Sequence, residues 1–123
     1  SEMGRKQTDS VFVFDEPTAC QDRHGIRLLS GIINALSSEG KLVITITHDM
    51  EFVAENFDRT VCMADKHILM DDKTNRILTD DSLMEKAALK KPNVSYLASE
   101  MGFEGVITSE DFLAALTENS KRL

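Results

Sequence analysis

Two unbroken apolar runs constrain this chain more than any other feature. Val11-Phe12-Val13-Phe14 ends in Asp15-Glu16-Pro17, and Leu42-Val43-Ile44-Thr45-Ile46 ends in Thr47-His48-Asp49. β-Branched and aromatic residues without apolar–polar alternation predict strands covered on both faces, as in a parallel sheet. Between the runs, Ile26, Leu29, Ile33 and Leu36 share one face of a helix that closes at Gly40. Strand, crossover helix and strand form the unit from which parallel sheets are built.

Downstream, Met50, Val53, Ala54 and Phe57 recur at helical spacing and predict a short helix. Thr60 to Met63 and Ile68 to Met70 predict two short strands joined by a polar turn. The fold class expected is therefore α/β with a mainly parallel sheet. From Asp80 the pattern becomes helical. Leu83 to Leu89 predicts a helix that stops before Pro92, and Val94, Leu97, Ala98 and Met101 form a stripe ending at Gly102. Thr108, with Asp111 three residues on, resembles a capping box opening a last helix with Phe112, Leu113 and Leu116 on its apolar side. The expected organisation is a cloning remnant or linker over 1–10, beginning Ser1-Glu2-Met3, then an α/β part over 11–79 and a small helical extension over 80–123.

Composition narrows the function classes. The formal net charge is −7 and the pI about 4.9, so the surface repels phosphate backbones and no nucleic-acid partner is expected. Arg5-Lys6 and Lys90-Lys91 are too short to act as a basic stripe. No apolar run approaches the ~18 residues of a membrane span, and no signal-peptide pattern is present. Cys20 and Cys62 lack CxxC spacing and are expected to be reduced thiols.

The chemistry gathers at the two strand ends. An apolar strand delivering adjacent acids suits phosphoryl transfer: the first acid supports Mg²⁺, and the second orients and deprotonates the attacking water. Asp15 and Glu16 equally suit a solvated turn before Pro17. His48 suits a hydrogen-bond donor to a γ-phosphate, or a surface residue beside a helix cap. Taken singly, neither pattern decides. Together they occupy the ends of consecutive strands joined by one helix, which brings both side chains to one edge of a sheet.

VFVFDEPTACQD followed by LVITITHDMEFVAENFDRTVCMADKHIL resembles the Walker B, D-loop and H-loop run of ATP-binding-cassette (ABC) ATPases, over roughly Val11 to Leu78. The resemblance implies the carboxyl-terminal portion of a P-loop NTPase (ABC ATPase) fold, with ATP and Mg²⁺ as cofactors. It implies that Asp15 supports the Mg²⁺ site, Glu16 is the catalytic base and His48 the switch histidine. Asp22 would end the D-loop, on the nucleotide-binding side, where that loop touches the opposing subunit. Ala19-Cys20-Gln21 departs from the family's D-loop pattern at two positions. The tail, LMEKAALKKPNVSYLASEMGFEGVITSEDF, is similar to the extension of energy-coupling factor transporter ATPases, which serve cobalt, nickel and vitamin uptake in prokaryotes. That likeness implies import driven by ATP hydrolysis, a second ATPase subunit and integral membrane subunits as partners, and a cytoplasmic position on the inner face of the membrane. Leu97, Met101, Phe112 and Leu116 would serve either subunit association or the chain's own core.

No GxxxxGK[ST], signature loop or Q-loop appears in the sequence. A metal ligand and a base without a phosphate cradle hold ATP poorly, so the 123 residues alone are expected to lack ATPase activity. An apolar strand without a partner on its outer edge is expected to pair with a second copy. The alternatives are a non-catalytic dimerisation or regulatory module derived from an ABC ATPase, or an ABC ATPase of DNA repair. Retention of Asp15, Glu16 and His48 together favours the hydrolytic reading.

Overall fold

The computed structural model describes residues 10–121. The expected remnant or linker over 1–10 lies, apart from Ser10, outside the described residues. The chain divides into two compact units, one through Asp49 and one from Met50.

In the first unit, β1 (Val11–Asp15) and β2 (Leu42–Ile46) pair in parallel, from Val11 opposite Leu42 to Asp15 opposite Ile46. Main-chain bonds extend the ladder past β1 at both ends, Leu42 N to Ser10 O at 3.3 Å and Glu16 N to Ile46 O at 2.7 Å. The crossover helix α1 (Arg23–Ser38) packs on β2 and buries Ile33, with Ile26, Leu29 and Leu36 half-buried on the same face. Gly40 (φ 80°) ends it in a Schellman turn, Gly40 N bonding Ser37 O and Lys41 N bonding Leu36 O. The predicted strand pair and helix face are both present. The predicted coverage of both sheet faces is not: Val11, Val13, Leu42, Ile44 and Ile46 stand exposed. A lone crossover helix covers one face of a strand pair, so the alternate side chains stay in solvent.

In the second unit, α2 (Met50–Asn56) leads into β3 (Arg59–Ala64) and β4 (His67–Lys73), followed by α3 (Thr74–Leu78), α4 (Asp81–Lys86), α5 (Asn93–Glu100) and α6 (Ser109–Lys121). β3 and β4 form an antiparallel hairpin with a register shift at Cys62/Met63. Asp65 and Lys66 both carry positive φ, the primed-turn geometry that matches strand twist. The fold is α/β as expected, but of the two strand pairs among the described residues the β1–β2 pair alone is parallel, because so short a turn between β3 and β4 permits only antiparallel return.

Met50, Val53, Cys62, Ile77, Leu78, Leu83, Met84 and Ile107 form one buried cluster. It continues across Thr79, so the change in sequence character there is not a break in packing. Glu51 of α2 accepts from Asn93 N (2.7 Å), satisfying the start of α5 from a distant element. Burial raises the Cys62 thiol pKa, with the charge of Asp80 adding to the effect, which fits an unreactive core thiol. Both cysteines are free, as expected.

The tail corrects three details. α4 ends at Lys86 rather than Leu89. On α5 the buried residues are Ser95 and Ala98, whereas Leu97 and the C-cap residue Met101 are exposed. Ser95 Oγ is satisfied by Val106 O at 2.6 Å, which lets a polar residue take the inward face. On α6, Leu113 is exposed while Phe112 and Leu116 are half-buried. The predicted capping box is present: Asp111 N bonds Thr108 Oγ1, and Asp111 Oδ2 accepts from the main-chain N–H of Ile107 and Thr108.

Candidate functional site

The strand ends of the first unit hold the predicted residues. Asp15 is the last residue of β1 and is exposed, opposite Ile46 in the ladder. Glu16 turns out of the strand path with φ 48°, a left-handed conformation that a side chain rarely adopts. Its carboxylate reaches residues that follow β2. His48 Nδ1 lies 2.8 Å from Glu16 Oε1, and Thr47 Oγ1 donates to Glu16 Oε2 at 3.2 Å. The two side chains named from sequence as base and switch are thus in direct contact.

The electrostatics follow from that contact. The hydrogen bond from His48 holds the Glu16 carboxyl below its ordinary value, with Thr47 and the imidazole's charge acting the same way against partial desolvation. The Glu16 carboxylate in turn raises the His48 pKa, first through the hydrogen bond, then through charge, with Asp49 adding to it. The His48 side chain is 80% exposed and that of Glu16 38%. The neutral imidazole carries its proton on Nδ1 in this arrangement, leaving Nε2 free to accept.

Asp22 does not join this group. It caps α1, accepting from Gly25 N at 2.8 Å. The intervening turn is held by Ala19 N to Glu16 O and Gln21 N to Thr18 O, with Cys20 at φ 61°. Sequence reasoning passed over Thr18, Thr47 and Asp49 as site residues, although they lie in the quoted motifs. Thr18 Oγ1 donates to Asp49 Oδ2 at 2.9 Å, and Asp49 N donates to Thr47 Oγ1 at 3.0 Å. Among the described residues no three His, Cys, Asp or Glu side chains cluster as a metal site, and no helix is long and apolar enough to cross a membrane.

No protein-family model matches the chain. A putative ABC transporter ATP-binding protein of Streptococcus agalactiae is 35% identical over 92 residues, 75% of this chain and 16% of the relative. The energy-coupling factor transporter ATP-binding protein EcfA2 of Mycoplasma mobile is 31% identical over 111 residues, 86% of this chain and 36% of that protein. The homologues of this chain are ABC transporter ATP-binding proteins. The chain spans only a minor part of the ABC proteins it matches. A solved structure of cbiO1 from Clostridium perfringens, part of the ABC transporter complex cbiONQ, superposes with a TM-score of 0.52 at 22% identity. It covers 73% of this chain and 36% of cbiO1, so the chain shares the fold of part of that protein.

Proposed function

We propose that this chain is the hydrolytic half-site of an ABC transporter ATPase of the energy-coupling factor type, which orients water against the γ-phosphoryl group of ATP. The observation that carries the reading is the 2.8 Å contact of His48 with Glu16 at the carboxyl ends of two adjacent parallel strands. Ligands of open α/β sheets bind at that edge.

Glu16, kept ionised by its neighbours, accepts a hydrogen bond from water and aims the oxygen for in-line attack. Its lowered basicity suits it to orienting first and taking the proton late, when the phosphoryl transition state is already loose. Protonated His48 donates from Nδ1 to Glu16 and from Nε2 to a phosphate oxygen. Asp15 fits Mg²⁺, because a single hard oxygen donor at a strand end suffices for an ion that keeps waters and takes phosphate oxygens. When bound, Mg²⁺ neutralises charge developing on the phosphoryl oxygens. Asp22 acts through the helix cap, which fixes the exit of the turn from Glu16 to Gln21, and that turn is the surface offered to an opposing ATPase subunit.

EcfA2 supports the transport class and, with it, a place on the inner face of the membrane against integral subunits; no helix among the described residues is long and apolar enough to cross the membrane itself. The exposed apolar residues Leu97 of α5 and Met101 at its C-cap suit association with a second ATPase subunit. The sequence holds no GxxxxGK[ST], so on this reading the phosphate cradle is contributed by another segment or subunit. In a protein joining this chain to its phosphate-binding loop, Glu16→Gln is expected to lower kcat for ATP by ~10²–10⁴-fold with little change in KM. Turnover unchanged by that substitution would refute the reading.

A further inference from the structure

His48 is too exposed for packing to aim it, since nothing covers four-fifths of its side chain. Its orientation rests on Glu16, and Glu16 sits in a left-handed conformation that persists only where the surroundings over-determine it. Main-chain bonds hold it on either side, Glu16 N to Ile46 O and Ala19 N to Glu16 O, and a run of side-chain hydrogen bonds further ties the two rim segments together. Thr18 lies two residues beyond Glu16, and Asp49 two residues beyond Thr47. Thr18 Oγ1 donates to Asp49 Oδ2 (2.9 Å), Asp49 N donates to Thr47 Oγ1 (3.0 Å), and Thr47 Oγ1 donates to Glu16 Oε2 (3.2 Å). The Thr47 hydroxyl thereby commits its one proton to Glu16 while accepting from Asp49. Both threonines and Asp49 are half-buried, where such bonds resist competition from water better than on the open surface.

We propose that Thr18 and Asp49 form a clamp between the two rim segments, and that Thr18, which touches neither Glu16 nor His48 through a hydrogen bond, is a positioning residue for that pair. The proposal rests on the hydrolytic reading for its purpose but not for its geometry. Opening the clamp removes one tie between the turn that begins at Glu16 and the segment that carries His48, and leaves the bonds made by Glu16 itself to hold the two together. The acid and the imidazole then share a looser frame, and misplacement of this kind costs rate rather than affinity.

The test uses the side-chain nitrogen resonances of His48 in the 123-residue chain at fixed pH, with Glu16→Gln as the reference for an imidazole without its carboxylate partner. Thr18→Val removes the donor at nearly constant volume and is expected to move the His48 Nδ1 and Nε2 shifts toward those of Glu16→Gln. Thr18→Ser restores the hydroxyl and is expected to return them to wild-type values. If Thr18→Val does not fold, Thr18→Ala removes the same donor without adding a branch and leaves Asp49 and its charge in place. Wild-type His48 resonances in a folded clamp-open variant overturn the proposal. In the protein that carries the phosphate-binding loop, Thr18→Val is expected to lower kcat ~10–100-fold at unchanged KM. Displaced resonances with hydrolysis indifferent to Glu16 would leave the clamp standing and remove the hydrolytic reading.

Discussion

Glu16 and His48 tune one another, and the sign of each shift gives a pH window. The Glu16 pKa is lowered from 4.5, so its contribution to folding is present above that value and is lost as pH falls through the folded-state pKa. The His48 pKa is raised from 6.5, so its contribution is present below that value and is lost as pH rises through the folded-state pKa. The charged pair is therefore intact between 4.5 and 6.5 and somewhat beyond both limits. An NMR titration is expected to place the His48 midpoint above 6.5 and to find it back near that value in Glu16→Gln. A wild-type midpoint at or below 6.5 would mean that the contact does not form in solution. That Asp15, Glu16 and His48 would stand at neighbouring strand ends was legible in the sequence, because the two apolar runs end at them. The left-handed backbone of Glu16 was not, since nothing in Asp-Glu-Pro announces it. Nor was the clamp, because a threonine in a motif does not show where its hydroxyl points.

At the scale of elements, legibility followed the punctuation. Gly40 and Gly102 were read as helix ends and both close Schellman turns at positive φ. α4 closes in the same way, with Ala88 N bonding Glu85 O and Leu89 N bonding Met84 O, but the residue at φ 56° is an alanine. Without glycine to mark the turn, the apolar pattern read on to Leu89. Ala88→Gly is expected to stabilise the protein by about 0.5–1 kcal/mol, because it relieves the left-handed strain at an exposed position. Urea denaturation measures this, and an unchanged or lower midpoint would show that the turn is unstrained. α3, five residues long, escaped notice because it is shorter than two helical turns, although Ile77 and Leu78 at its end are among the most buried residues.

At the scale of the molecule, α/β character was legible from the order of apolar runs, whereas exposure was not. Unbroken runs in β1 and β2 encode strands meant for burial on both faces, yet Val11, Val13, Leu42, Ile44 and Ile46 face solvent. On the proposed reading, hydrolysis needs both a cradle for the phosphates and the acid–imidazole pair of Glu16 and His48. If the pair works as a unit, its members cannot contribute independently. The most direct measurement is a double-mutant cycle on kcat for ATP in the protein carrying the phosphate-binding loop. Each of Glu16→Gln and His48→Ala is predicted to abolish most turnover, and the double variant to be no slower than the worse single one. Losses that simply multiply, or a single variant with wild-type turnover, would contradict the account.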